Sequence, residues 1–530
     1  MKLSRWLRFP VLAVFLLSTS FMFAQNAAPA GLDAYVNRVL KTFNVPGLSV
    51  AIVKDGKVVL AKGYGVRKLG ESAAVDENTL FNIASVTKAF TAAALATLVD
   101  DGKISWDDRV YQRLPGFQMS DPYVSREMTI RDLLTHRSGL GPDAGDLLQW
   151  PLTTFTRDEI VYRVRYLKPA TSFRTTFAYD NNLYVVAGQI IAAVTGKSWE
   201  EYVRERIFLP LGMNSTTLSF AAYPPRGNYA WPHSELNGKL AVNEFGLKDF
   251  PNGAAAGAIN TSAAEMAKWM LVLLNHGKFL DRDGRLFSQK QSQEMWTAHT
   301  IEPIGDFFSI RRNKRANFCL YALGWNLQDY EGRLLVNHTG TSVGFVARVA
   351  LMPEENLGMV VLTNAESRPA YNSILYHLLD QYLKVPPTDW TAVLKAEADE
   401  QRDQETKVRA QQEARRATDS KPLLPLGMYA GEYTDSWYGP VHIQLEAGKL
   451  VFTMDHTPVA VGDMQHWQYD TFRIYWRNPV MKDAFVTFTL TPDGRIDHFT
   501  MAEVLPDPDS GFDYQDLLFT PVAAAAASQK

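Results

Sequence analysis

Apolar and polar positions follow two periodicities along the chain, and these periodicities predict its strands and helices. Residues 48–63 form two apolar runs around a Lys-Asp-Gly turn, a pattern typical of a β-hairpin. Residues 347–364 contain two more strand-like runs, whereas 85–100, 199–208 and 264–274 show helical spacing. Because strands at both ends flank a helical middle, we expect an α+β domain, with one antiparallel sheet built from both ends and a helical lobe beside it.

The pattern changes after a Pro-Pro pair at 386–387. Acidic and basic residues interleave at three- and four-residue spacing through 395–416, which predicts an exposed helix. From 428 to 521, five short alternating runs separated by turn signals indicate a small all-β, barrel-like domain: VHIQL, KLVFTM, TFRIYW, FVTFTL and IDHFTM. We therefore predict a first domain at 28–385, a charged helical linker at 386–424, a β-domain at 425–522 and a tail at 523–530.

Residues 1–24 are typical of an export signal. Three basic residues precede an almost wholly apolar run at 10–23, and Ala24 is small enough for a cleavage site. The apolar run is shorter than the roughly 20 residues that a membrane span needs. We expect cleavage and a periplasmic or secreted protein without a stable membrane span; an uncleaved anchor is the alternative.

The composition of the chain mainly rules out classes of partner and of metal or disulfide site. The formal net charge is −3 over 530 residues, so nothing indicates a nucleic-acid partner. Cys319 is the only cysteine, which rules out an internal disulfide framework and a cysteine-rich metal site. The ten histidines include no pair at a metal-ligand spacing such as His-x-x-x-His. We expect neither a metal nor an organic cofactor, and the sequence leaves the oligomeric state open.

Ser85 and Lys88 begin an alanine- and leucine-rich helical stretch and lie one turn apart on the same face. A serine hydroxyl becomes a good nucleophile only when a base removes its proton, and a buried, neutral lysine can be that base. Backbone N–H groups at the helix start also favour a developing oxyanion. Taken alone, the pair is equally compatible with a capping serine followed by an exposed lysine.

Two further polar segments follow. Segment 179–181 (Tyr-Asp-Asn) precedes an apolar helical run; a phenol can carry protons, and an amide can hold a lysine or a substrate carbonyl. Segment 338–340 (His-Thr-Gly) stands at the end of a predicted strand, where a glycine lets a substrate backbone lie close. Taken singly, the first segment is also compatible with an ordinary helix entry, and His338 with a structural histidine.

In this order, Ser-x-x-Lys, Tyr-x-Asn and His-x-Gly resemble the three motifs of serine β-lactamases and penicillin-binding proteins. The stretches LLTHRSGL, PLGMNST and YALGW are similar to the group of class C β-lactamases, D-aminopeptidases and related esterases. The resemblance covers about 32–383, and the C-terminal part resembles a β-domain of unknown function often appended to such hydrolases. It implies a β-lactamase/transpeptidase-like fold and a serine hydrolase that works through an acyl-enzyme.

The resemblance also implies roles by position. Ser85 would attack the acyl carbon, and Lys88 would take its proton. Tyr179 would pass a proton to the leaving group and later help to activate water, while Asn181 would hold Lys88 and the substrate amide. The oxyanion would rest on the backbone N–H groups of Ser85 and Thr341.

The third motif departs from the commonest pattern of the family. Many β-lactamases and carboxypeptidases have a lysine where this chain has His338, which is mostly neutral at pH 7. The motif therefore leaves open whether the protein recognises a substrate carboxylate and hydrolyses β-lactams efficiently. Histidine variants are similar to the esterases and aminopeptidases of the group, and Thr339 and Gly340 would line the substrate strand.

The expected substrate is a small ester, amide or short peptide; cell-wall fragments with D-amino acids are one source. One alternative is a β-lactamase or D-alanyl-D-alanine carboxypeptidase, and another is a slowly turning over penicillin-binding sensor or binding protein. A rival nucleophile is Ser342, since 340–344 satisfies Gly-x-Ser-x-Gly. That motif requires a strand, a sharp turn and a helix, whereas the residues that follow alternate like a strand.

Overall fold

The structure is a computed structural model that describes residues 28–223, 227–236, 238–303, 316–505 and 511–522. The predicted export signal at 1–24 and the tail at 523–530 lie outside these ranges and stay predictions. No helix within the described ranges combines the length and the apolar character that crossing a bilayer requires.

An eight-stranded antiparallel sheet forms the centre of the first domain. The strands before the barrel are β1 Gly47–Lys54, β2 Lys57–Gly65, β3 Phe81–Asn82, β4 His233–Leu236, β5 Lys239–Val242, β6 Asn260–Thr261, β7 Thr300–Glu302, β8 Cys319–Tyr321, β9 Asn326–Tyr330, β10 Arg333–Ser342, β11 Phe345–Met352 and β12 Leu357–Thr363. The order across the sheet is β2-β1-β12-β11-β10-β9-β8-β7. Because β1 pairs with β12, the two ends of the domain meet in one sheet, which confirms the predicted architecture.

Helices cover both faces of this sheet. They are α1 Leu32–Thr42, α2 Thr87–Asp100, α3 Val110–Arg113, α4 Pro122–Glu127, α5 Ile130–Leu133, α6 Arg157–Arg163, α7 Asn182–Thr195, α8 Trp199–Val203, α9 Leu209–Leu211, α10 Ala254–Gly257, α11 Ala263–Leu274, α12 Gln289–Met295, α13 Arg368–Leu383 and α14 Trp390–Arg415. Helices α1 and α13 pack against the sheet and form one apolar core with it. Helix α11 and the helical lobe pack against the sheet from the other side and form a second apolar core. Strands β1, β11 and β12 are therefore buried on both faces, which explains their almost continuous apolar sequences.

Helix α2 lies inside the helical lobe rather than on its surface. Every residue from Thr87 to Leu98 is buried, and five of them are alanines, whose small side chains let neighbouring helices approach closely. Helices α7 and α10 pack against it. A polar side chain in the first turns of α2 can therefore hydrogen-bond only with other groups of the protein. This burial determines the protonation state of the Lys88 amine.

The predicted charged helix is α14, and it begins earlier than its charge pattern. Asp389 caps its start, and the Trp390 indole donates to Asp380 Oδ2 at 2.7 Å, so the first turn belongs to the apolar core. Most of the helix beyond Leu394 is exposed, as predicted.

The C-terminal domain is a closed antiparallel barrel of eight strands. These are β13 Gly431–Asp435, β14 Gly439–Glu446, β15 Lys449–Met454, β16 Val461–Gln468, β17 Thr471–Trp476, β18 Ala484–Leu490, β19 Ile496–Glu503 and β20 Leu518–Pro521. The sequence pattern predicts only five of them. It misses β13 and β20, which are short, and β16, whose alternation is interrupted by polar residues and by a register shift between His466 and Gln468.

Candidate active site

Ser85 lies in a single 3₁₀ turn, Ala84–Val86, that leads directly into α2. Ala84 adopts a left-handed backbone with φ of 44°, and its N–H donates to Asn82 Oδ1 at 3.0 Å. Ser85 is partly exposed, although the nine other residues from Phe81 to Phe90 are buried. The Ser85 hydroxyl therefore lies at the partly exposed N-terminal end of a buried helix.

Lys88 is fully buried one turn further along. Its Nζ lies 3.1 Å from Ser85 Oγ, 2.7 Å from Asn181 Oδ1 and 3.2 Å from the Ala256 carbonyl oxygen. Burial lowers the pKa of Lys88 from 10.5 to about 7, although the negative charges of Asp146 and other nearby carboxylates oppose this shift. A large fraction of the protein therefore carries a neutral amine near pH 7.

A neutral amine has two N–H donors and one lone pair. The Asn181 and Ala256 oxygens can only accept, so they take both N–H groups. The lone pair is then left for the third neighbour, the Ser85 hydroxyl. This arrangement is what proton abstraction from a serine by a lysine requires.

Tyr179 contacts the same pair. Its phenol hydrogen-bonds with the Ser85 side chain, and Lys88 Nζ lies 4.8 Å from the centre of its ring. Desolvation raises the pKa of Tyr179 well above its usual range, so the phenol keeps its proton. It is a proton donor placed next to the hydroxyl that would attack.

Asn181 is engaged at both ends of its side chain. Its Oδ1 accepts from Lys88, and its Nδ2 donates to Asp146 Oδ2 at 2.7 Å. Asp146 is buried, and burial raises its pKa to about 7. The predicted contact between Asn181 and Lys88 is present, and only the second hydrogen of Nδ2 is left for a substrate amide.

His338 lies inside strand β10, which continues through the motif to Ser342 instead of ending before it. Its Nδ1 lies 2.6 Å from the Thr339 carbonyl oxygen and its Nε2 lies 2.9 Å from the Tyr321 hydroxyl. Burial lowers the pKa of His338 to about 3, and the charge of Lys88 adds to this effect. The imidazole is neutral, so the third motif supplies no positive charge.

Gly340 lets β10 approach the serine turn. A Cβ atom at this position would lie 2.0 Å from the Ile83 carbonyl oxygen and 3.1 Å from the Ser85 nitrogen, too close for any other residue. Thr339 and Thr341 flank this contact, and Thr341 is exposed. In the described ladder, pairing of β10 with β9 ends at Asn337, so the part of β10 beside the serine makes no ladder pair with β9.

His136, which lies in the LLTHRSGL stretch and in none of the three motifs, also contributes to the site. Its ring lies 4.2 Å from that of Tyr179 and 4.6 Å from that of Tyr321, and its Nδ1 accepts from the Asp180 N–H at 3.0 Å. Asp146 was missed altogether, because it lies 35 residues from Asn181 and belongs to none of the three motifs. Tyr321 stands in the YALGW stretch, but its contact with His338 was not predicted.

The rival serine has the wrong surroundings. Ser342 ends β10, and the chain turns at Gly344 into the antiparallel strand β11. The segment is a β-hairpin, whereas a nucleophile elbow needs a helix after the turn. The geometry therefore favours Ser85 over Ser342.

The fold and this site define a hydrolase of the class that unites β-lactamases and penicillin-binding proteins. The chain belongs to the beta-lactamase family, whose model matches residues 32–384. Residues 415–521 match a second family, described only as a domain of unknown function. The resemblance drawn from the motifs is thus confirmed for both parts of the chain.

Relatives and solved structures agree with this assignment. The unguisins hydrolase of Aspergillus campestris is 34% identical over 427 residues, covering 77% of this chain and 76% of its own. An octameric penicillin-binding protein homologue from Pyrococcus abyssi shares the fold with a TM-score of 0.59 at 22% identity, covering 92% of this chain and 99% of its own. A class C β-lactamase from Rhodobacter sphaeroides gives a TM-score of 0.54 at 22% identity, covering 67% and 100%.

Proposed function

We propose that the protein hydrolyses a small ester, an amide or a short peptide, including peptides with D-amino acids, through an acyl-enzyme on Ser85. One observation carries this proposal. The Lys88 amine is fully buried, 3.1 Å from Ser85 Oγ and within hydrogen-bond distance of two oxygens that can only accept. The hydrolase name of the Aspergillus relative supports turnover over simple binding.

The chemistry follows from these contacts. Lys88 takes the Ser85 proton as Oγ attacks the carbonyl carbon, and negative charge develops on the carbonyl oxygen. The Ser85 and Thr341 N–H groups would stabilise that oxygen; losing one such donor typically costs about 3 kcal/mol. Tyr179 gives its proton to the leaving group, and the lysine proton restores it.

Deacylation reverses these roles. A water molecule would attack the acyl carbon while Tyr179 with Lys88 removes its proton. Ser85 then leaves with a proton returned from the same pair. The base therefore acts in both halves of the cycle.

The third motif narrows the substrate class. His338 is buried and neutral, so it offers a substrate a dipole and no charge. A substrate whose binding depends on a free carboxylate finds no positive partner there. We therefore favour esters and amides with a blocked or absent carboxylate over β-lactams and D-alanyl-D-alanine peptides.

A substrate panel tests the proposal. Nitrophenyl esters, D-amino acid amides and a chromogenic cephalosporin are assayed with the wild type, with Ser85→Ala and with the matched control Ser342→Ala. We expect the wild type and Ser342→Ala to turn over esters or amides faster than the cephalosporin, and Ser85→Ala to be inactive. Full activity in Ser85→Ala would refute the proposal.

A further inference from the structure

The barrel domain reaches the active site through one carboxylate. Asp513 precedes the short turn Tyr514–Asp516 that leads into β20, and it is almost completely buried. Its oxygens accept the backbone N–H groups of Gly145 and Leu147 from the first domain, at 2.5 and 3.2 Å. Two buried donors of the first domain are thus satisfied by an acceptor of the second.

These donors belong to the turn that carries Asp146. The turn is a 3₁₀ helix, Asp146–Leu148, entered through Gly145 with φ of 74°. Gly511 of the barrel domain lies over it as well, since a Cβ atom there would be 3.6 Å from Asp146 Oδ2. The position of the Asp146 carboxylate therefore depends on a segment of the barrel domain.

Asp146 in turn decides which end of Asn181 faces the lysine. Because Asp146 Oδ2 accepts from Asn181 Nδ2, the amide oxygen is directed to Lys88 Nζ. With the amide reversed, an NH₂ group would face the amine, and the lysine would lose an acceptor. A chain of hydrogen bonds thus runs from Asp513, through the turn that carries Asp146, to the Asn181 amide. From that amide it continues to Lys88 and Ser85.

We infer that Asp513 is a positioning residue for the proposed lysine base, so that the barrel domain completes the active site. The inference rests on the proposed function of Ser85 and Lys88. It assigns the barrel a part in the chemistry: docking of Asp513 orders the Asp146 turn, and the ordered turn fixes the Asn181 amide. Asp513 itself touches neither the substrate nor the reacting atoms.

Other contacts of the barrel hold the same region without reaching the lysine. The His456 ring stacks on Phe155 at 3.9 Å, its Nδ1 lies 2.9 Å from Thr154 Oγ1, and its carbonyl oxygen accepts the Thr154 N–H at 2.8 Å. Asp470 of the barrel instead accepts the Leu423 N–H of the linker at 2.9 Å and also the Tyr429 hydroxyl, away from the first domain. His456 and Asp470 therefore provide matched controls, one for docking and one for loss of a carboxylate.

The experiment uses the full chain and a nitrophenyl ester under single-turnover conditions. Asp513→Asn keeps the side-chain volume but turns an NH₂ group toward one of the two backbone donors. We expect the maximal acylation rate to fall about tenfold, because the base is displaced, while the half-saturating ester concentration changes less than about threefold. His456→Ala and Asp470→Asn are expected to stay within about twofold of the wild type.

A double-mutant cycle with Asp146→Asn tests the route. If both residues act through the same amide, the double variant is about as slow as the slower single variant. Thermal unfolding establishes that each variant is folded, and Asp513→Ser replaces Asp513→Asn if the latter is not. A wild-type rate in the folded Asp513 variant, an equal loss in His456→Ala, or multiplying effects in the cycle would overturn the inference. Activity in Ser85→Ala would instead refute the proposed function, so the two failures are distinguishable.

Discussion

The side-chain oxygen of Asn181 lies 2.7 Å from Lys88 Nζ and takes one of the two N–H donors that a neutral lysine possesses. This contact orients the Lys88 amine. The Asn181 amide carries no charge, and this lack of charge matters as much as the position of the amide. An amide supports the neutral amine, whereas a carboxylate in its place would stabilise the ammonium form. Burial lowers the pKa of Lys88 to about 7, and an uncharged partner leaves that shift in place.

Replacing Asn181 by aspartate should therefore move the pH profile. In the wild type, kcat/KM should fall below about pH 7, as Lys88 becomes protonated, and level off above it. In Asn181→Asp the new carboxylate raises the pKa of the lysine, so this acid limb shifts upward by about one pH unit or more. The profile is measured with a neutral nitrophenyl ester between pH 5 and 10.

Asn181→Ala is the control, since it removes the amide without adding charge. It should lower the rate and shift the limb less than Asn181→Asp does. A flat wild-type rate from pH 5 to 9, or identical limbs in the wild type and Asn181→Asp, would contradict a lysine base.

Burying a lysine also costs stability, with a definite dependence on pH. The pKa of Lys88 falls from 10.5 to about 7 on folding, so the unfolded chain binds more protons between these values, and stability should rise with pH across this interval. Lys88→Met removes the penalty. Its free energy of unfolding, relative to the wild type, should be most favourable below pH 7 and should decline toward pH 10, by on the order of a few kcal/mol.

The change in this difference with pH is the test, because Lys88→Met also loses three hydrogen bonds whose contribution does not titrate in the same way. Denaturant unfolding at pH 6 and pH 9.5 measures it. If the free energy of unfolding of Lys88→Met relative to the wild type is constant or grows with pH, the result would count against a buried lysine of lowered pKa.

Much of the site was predictable because its central residues lie within short motifs. Ser85 and Lys88 are neighbours on one helix, and Tyr179 with Asn181 directly precedes another, so local spacing determines each arrangement. Strand β1 and the charged helix were equally visible, since their patterns are local.

The remainder depends on contacts between distant segments. Asp146 meets Asn181 only after the lobe has folded, and Asp513 meets the Asp146 turn only when the barrel docks. Strand β16 was missed because its polar residues hide the alternation. Such features follow from tertiary packing, which no local pattern records.

Gly340 should tolerate no side chain. Because an added Cβ would meet the Ile83 carbonyl oxygen at 2.0 Å, Gly340→Ala must push β10 away from the serine turn. A shift of about 1 Å at a catalytic centre can reduce the rate about a hundredfold, and we expect a loss in kcat/KM of this order.

Gly427→Ala is the matched control, since the nearest atom to its added Cβ is 3.8 Å away, an ordinary contact. It should leave kcat/KM unchanged. Ester hydrolysis by the two purified variants gives the comparison, and a fully active Gly340→Ala would show that close approach of β10 is not needed.

The charge at the third motif should control preference for carboxylates. His338→Lys introduces an amine at a buried position, and in its protonated form this amine should raise the ratio of kcat/KM for a carboxylate-bearing ester to that for its amidated counterpart, so the ratio is measured at pH 6. His338→Gln stays neutral and should leave this ratio as in the wild type. An equal ratio in all three proteins would show that this position does not select substrates.

Covalent labelling of the nucleophile tests the central claim most directly. The wild type, Ser85→Ala and Lys88→Met are each incubated with a fluorophosphonate probe, and intact mass and peptide mapping locate the adduct. We predict one adduct per chain on the peptide that contains Ser85, much slower labelling in Lys88→Met and none in Ser85→Ala. Undiminished labelling of Ser85→Ala, or an adduct on Ser342, would contradict the account.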